Sequence, residues 1–227
     1  AGAGQAAFNK VTSAIGGMKN ELIESSRAWQ NFEANMRMNG HTRKEIAETR
    51  KDLQRYAEQT IYSSSDMAST FAQFDAVGVK SSKDLVKAFG GLAAASENPR
   101  QAMKTLSVQG VQMAAKPKVA WLDFKFMLEQ TPAGMSKVAK AMGMTTKELV
   151  ANVQAGKVKS EDFFAAVRKA AGTGSDLQKM ATQYKDIWQA LDGLRETVSN
   201  KLQPAFRAFN DKGIKVVTKA TNEFSDA

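Results

Sequence analysis

Ten cations carry the densest run of reactive charge in this sequence: Arg100, Lys104, Lys116, Lys118, Lys125, Lys137, Lys140, Lys147, Lys157 and Lys159. Only Asp123, Glu129 and Glu148 oppose them between positions 100 and 159, so ten against three leaves +7 of the chain's formal +9 in that window. Ammonium and guanidinium groups can attract phosphates, whether of nucleic acid or of an anionic lipid. Only three tyrosines are present, and no RNP-like or OB-like aromatic strand pattern interleaves with these lysines. The spacing therefore favours a solvated basic face, with a basic helical module for DNA or anionic lipid as the alternative. Other chemistry is thin. Cysteine is absent, which excludes disulfides and thiolate metal sites, and His41 is the single histidine. His41 follows Gly40 in a linker and is expected to be solvated. Glu161 and Asp162 sit beside a helix start, where acids favour the helix dipole. No nucleophile elbow, phosphate loop or zinc-protease motif occurs, so the chain is expected to be no enzyme and to hold no metal or cofactor.

The elements that would position these residues are helical throughout. No strand-like alternation persists beyond four residues, and Ala, Met, Lys and Gln outnumber the β-branched and aromatic types. At the start, Phe8, Val11, Ile15, Met18, Leu22, Ser25, Trp29, Phe32 and Met36 step by three and four. That is a heptad seam with one polar position, closed by Gly40. A continuous helix over it would run roughly 43 Å at about 1.5 Å per residue. After Gly172-Thr173-Gly174-Ser175 a second seam resumes: Leu177, Met180, Tyr184, Ile187, Leu191, Leu194 and Val198. Pro204 then forces a kink or a break. Both seams are candidate helix-pairing surfaces, joining each other or a second copy as a homo-oligomer.

Between them the chain reads as short capped helices. Thr42 with Glu45 forms a capping box, Ser63 to Asp66 is a break and a new cap, and Gly78 closes the next element. Ser81 and Asp84 start another, whose Gly90-Gly91 pair suggests a close helix crossing. Asn98-Pro99 is a cap followed by proline at the first helical position. Trp121, Phe124, Met127 and Leu128 are expected to bury the following helix.

The stretch 127–163 is cut finest. Pro132 opens a helix, Gly143 ends it, Thr145 with Glu148 boxes a second that Gly156 ends, and Ser160 is expected to cap a third. Each piece has too few apolar positions to be stable alone and must pack on something larger. Six of the eleven methionines lie between Met103 and Met144, where they read as gap fillers in such a core. The expected fold is all-α: an N-terminal long helix or coiled-coil arm over 1–41, a domain of several short helices over 42–172, and a C-terminal long helix with the start of another over 173–227.

The middle of the chain resembles the tape measure domain of long-tailed bacteriophages. The residues that carry the resemblance are RYAEQTIYSSSDMASTFAQFDAVGV (55–79), the Leu85-to-Ala95 helix, the stretch from Gln109 to Leu128, and MSKVAKAMGMTTKELVANVQAGKVKSEDFFAAV (135–167). The ordered run of a small helix, G-M-T-x-x-E-L, a helix, A-G-K-V and a helix is its most specific part. The resemblance covers roughly residues 29–172 and implies a piece of a longer virion protein threaded along the tail, around which tube subunits polymerise. It further implies a role in tail length and genome ejection, and partners among tail tube and tail-tip proteins and tail assembly chaperones. Contact with the host membrane or DNA at ejection would follow, with residence in the virion tail and, during assembly, the host cytoplasm.

Overall fold

The computed structural model describes residues 26–183, and every regular element among them is a helix. The helices are α1 (26–38), α2 (Arg43–Gln59), α3 (Ser64–Ala76), α4 (Ser82–Ala94), α5 (Pro99–Ala114), α6 (Trp121–Gln130), α7 (Pro132–Ala141), α8 (Thr146–Gln154), α9 (Ser160–Ala171) and α10 (176–183). One antiparallel bridge, Lys118 with Lys159, is the sole extended pairing among the described residues.

The core forms around α4. Most of its residues are buried, from Leu85 and Val86 through Ala94, so it is covered on nearly every side. It packs against α2, α3, α5, α7 and α9. A chain of aromatic edges runs through the contact: Phe74–Phe89 at 5.6 Å, Phe89–Phe164 at 6.4 Å, Phe163–Phe164 at 6.1 Å and Phe124–Phe163 at 6.0 Å between ring centroids. The Gly90-Gly91 pair does mark a close crossing. A Cβ on Gly91 would lie 2.7 Å from the carbonyl oxygen of Ala171 in α9, and one on Gly90 would overlap the Tyr56 hydroxyl.

That bared backbone is then used. The Tyr62 hydroxyl donates to Gly90 O at 2.6 Å, and the Tyr56 hydroxyl lies 3.0 Å from both Lys87 O and Gln178 Oε1. Gln178 Nε2 donates to Ala171 O at 2.7 Å and to Lys87 O, which fastens α10 onto α4 and α9. Burial pushes the Tyr56 phenol above its ordinary range.

Local signals set most boundaries as the sequence implies. Thr42 and Thr145 each accept from the amide three residues on, while Glu45 and Glu148 return a bond to the cap backbone. Asn98 and Ser63 cap α5 and α3. After α7, Gly143 takes φ +78°, and Met144 N–H reaches back to Ala139 O at 3.0 Å in a Schellman turn. Of the methionines singled out above, Met103, Met113, Met127 and Met135 are buried, and Met142 and Met144 pack against the core. Phe124 and Met127 are buried as expected, with Trp121 and Leu128 partly so.

Two expectations, on Ser160 and His41, fail for a tertiary reason. Ser160 does not cap α9: it is the first helical residue, behind Lys159. Ser160 N–H donates to Pro117 O at 3.1 Å, and Val119 N–H to Val158 O at 3.0 Å, so the bridge draws the helix start forward by one residue. Ser81 and Asp84 do start α4 as expected, with Ser81 in a left-handed conformation, φ 55°, and no side-chain cap bond. His41 is not a freely solvated linker residue. Its Nε2 lies 2.9 Å from Asp75 Oδ1, and Asn39 Nδ2 donates to the same carboxylate at 2.8 Å, tying the α1–α2 turn to the end of α3.

Two predictions follow from this packing. Leu149 is fully buried on the short α8, so Leu149→Ala is expected to destabilise the protein by about 2–5 kcal/mol; a wild-type melting curve for that variant would contradict its place in the core. The second concerns acid. Bonds from the backbone and then the hydroxyl of Thr42 hold Glu45 below its ordinary range, and Thr145 does the same for Glu148. A carboxylate depressed in the folded state adds stability above its unfolded-state value, about 4.3, and loses it as pH falls through the lower folded value. Glutamine keeps the box without titrating. The stability gap between wild type and the Glu45→Gln/Glu148→Gln double variant should therefore narrow as pH falls from about 5, measured by denaturant midpoints.

Candidate helix-pairing and basic surfaces

The seam residues divide by where the structure describes them. Phe8, Val11, Ile15, Met18 and Leu22 lie outside the described residues, as do Tyr184, Ile187, Leu191, Leu194 and Val198. Trp29, Phe32 and Met36 are buried in the same core as α4. Trp29 meets Phe32 edge to face at 5.0 Å, Phe32 meets Phe71 of α3 at 5.3 Å, and Trp29 Nε1 donates to Ser64 Oγ at 3.0 Å. The Arg50 guanidinium lies 5.2 Å from the Trp29 ring centroid, and its Nη1 donates to Glu33 at 2.7 Å. On the other seam, Leu177 is buried and Met180 is half-buried against the core. The described turns of both seams thus face the short-helix domain.

All ten candidate cations are exposed. Arg100 and Lys104 stand on α5, Lys116 and Lys118 between α5 and α6, Lys125 on α6, Lys137 and Lys140 on α7, Lys147 on α8, and Lys157 and Lys159 before α9. The three opposing acids are already engaged. Asp123 is bound by Lys116 at 2.7 Å, Glu129 lies 3.7 Å from Lys125, and Glu148 closes the α8 capping box. The other eight cations make no ion pair among the described residues, although Arg100 Nε donates to Ile61 O at 3.1 Å.

The fold gathers some of this charge. Lys116 and Lys159 line one cleft of about 330 Å³, joined there by Lys80 from the α3–α4 turn and Arg168 from α9. Lys80 and Arg168 fall outside the basic window of the sequence and only the tertiary fold brings them in; nothing in their local pattern marks them. No cluster of three or more metal-ligating side chains occurs among the described residues. No described helix is long and apolar enough to cross a membrane.

A family model described as tape measure protein matches residues 20–211, well over half of the chain. No curated protein and no solved structure matches it.

Lys116 differs from its neighbours because its partner is buried. The Asp123 side chain is 4% exposed while that of Lys116 is 46% exposed. Removing the ammonium leaves a buried carboxylate without its charged donor, whereas the half-exposed lysine limits what the pair itself contributes. Lys116→Met is therefore expected to lower stability by about 1–3 kcal/mol. Lys118→Met should lie within about 0.5 kcal/mol of wild type, as surface changes do. Equal denaturant midpoints for the two variants would contradict the assignment.

Proposed function

The chain belongs to the tape measure protein family, a structural component of phage tails, and from that premise we propose that the short-helix domain acts in tail assembly and genome ejection as a folded body. On this reading the domain contributes to starting the tail or releasing the genome, and tail length is counted by extended helix elsewhere in the protein. The supporting observation is that all ten described helices place residues in one buried core. A segment lying extended along a tube would have to give up that burial, which includes five fully buried phenylalanines and about 1.5–3 kcal/mol for each such side chain. The partners proposed are tail tube and tail-tip proteins and assembly chaperones, with a further copy of the chain through the long helices.

The test is a deletion of Leu177–Ala190. Fourteen residues is two heptads, so Leu191 and Leu194 move into the places of Leu177 and Met180. A helix counted along the tail axis would shorten the tail by roughly 21 Å, at about 1.5 Å per residue. The expected outcome is unchanged length in the tails that form, with fewer tails or lower infectivity. Tails shortened in proportion to the deletion, in electron micrographs, would make this region part of the ruler.

A further inference from the structure

We propose that the cleft at the start of α9 binds a single phosphate group, as inorganic phosphate or a phosphomonoester. Four cations line it, Lys80, Lys116, Lys159 and Arg168, against one carboxylate, Glu161. Lys159 makes no ion pair among the described residues. Glu161 is engaged by Lys80 at 3.6 Å, and its side chain is 73% exposed. Lys116 already serves Asp123 and Arg168 Nη1 donates to Lys80 O at 3.3 Å, so Lys159 is the cation most available to an incoming anion.

The helix end supplies the directional part. α9 runs for twelve residues, and no side chain caps its N-terminus. Its first backbone bond is from Phe163 N–H to Lys159 O at 3.1 Å, so the amides of Glu161 and Asp162 lie ahead of the helical ladder. Uncapped amides and the positive end of the helix dipole together favour an oxyanion. An independent observation concerns Ser160. The residue lines the cleft and is 5% exposed, yet its hydroxyl has no hydrogen-bond partner. Buried hydroxyls are almost always satisfied, and an orphan in the wall of a cationic cleft lacks an acceptor. A phosphate oxygen is such an acceptor, and its other oxygens would face Lys159 and the two free amides.

The size of the site points to a small anion. The cleft of about 330 Å³ holds a phosphate with its waters. A nucleic-acid backbone is tracked by a groove of cations, and the remaining cations here are dispersed over α5, α6, α7, α8 and the segments that hold Lys118 and Lys157.

The experiment titrates inorganic phosphate into the isotope-labelled 227-residue chain at constant ionic strength, with chloride as the control, and follows backbone amide shifts. Saturable shifts centred on Glu161 and Asp162, with phosphate but not chloride, are expected. Ser160→Ala should weaken binding by about five- to tenfold, the scale of one hydrogen bond. Lys159→Gln should weaken it similarly, and Glu161→Gln should tighten it by removing the one opposing charge. A phosphate response no larger than that of chloride would overturn the proposal. So would wild-type affinity in Ser160→Ala, which would leave the hydroxyl as an orphan of packing, or weaker binding in Glu161→Gln. A short DNA duplex forms the last arm. Duplex binding that inorganic phosphate fails to displace, with no shift at Glu161, would assign the charge to a nucleic-acid face instead and sink the phosphate site.

Discussion

The burial of α4 is the constraint on which the other helices depend. A thirteen-residue helix covered on nearly every side cannot be amphipathic in the usual sense, and it exists only while its neighbours enclose it. Those neighbours are short, and none presents enough apolar surface to stand alone. The dependence is therefore mutual. Gly90 and Gly91 make it possible, because side chains there would hold α2, α9 and α10 away from the α4 backbone. The approach they permit lets Tyr56, Tyr62 and Gln178 reach α4 carbonyls. Polar bonds and apolar packing consequently act on the same crossing.

Enclosing one helix with many short ones requires frequent, sharply defined chain reversals. The capping boxes at Thr42 and Thr145 and the Schellman turn at Gly143 provide them at little cost in core volume. Each satisfies backbone groups that a helix end leaves open, which matters more as helices shorten and ends become a larger share of the chain. Local sequence and global packing agree at nearly every one of these points, the condition for a single well-defined fold.

That agreement explains which parts were legible in the sequence. Caps, closing glycines and the all-α class depend on residues a few positions apart, and they were readable. Ser160 has the composition of a cap, but pairing with the Pro117–Val119 segment decides its place, whereas Ser81 does stand at the start of α4. His41 looked like a linker residue because its partner Asp75 lies 34 positions away. The basic window was visible as a count. Its gathering point was not, since Lys80 and Arg168 join Lys116 and Lys159 only through the packing of α9 beside the α3–α4 turn. The heptad steps of Trp29, Phe32 and Met36 were legible as an apolar stripe, whereas the surface that stripe would meet could not be read from spacing.

The division between what holds the fold and what decorates it bears on function. Core aromatics, caps and the α4 crossing account for the packing, and exposed ion pairs such as Lys125–Glu129 add little to stability. Most of the cations are therefore not committed to the structure, and Lys116 is the exception because Asp123 is buried behind it. For a structural component of a phage tail, such a separation leaves the surface free to vary without touching the core. In the proposed anion site Lys159 is exposed and unpaired among the described residues, whereas Ser160 is buried beside it. The cleft at the start of α9 is where the two sets come closest. Phe164 belongs to the core, Ser160 and Lys159 line the cleft, and the three lie within six consecutive positions. An anion seated there would be held by a helix whose other end is fastened to α4 through Gln178, so occupancy of the cleft and the attachment of α10 are joined by one rigid element.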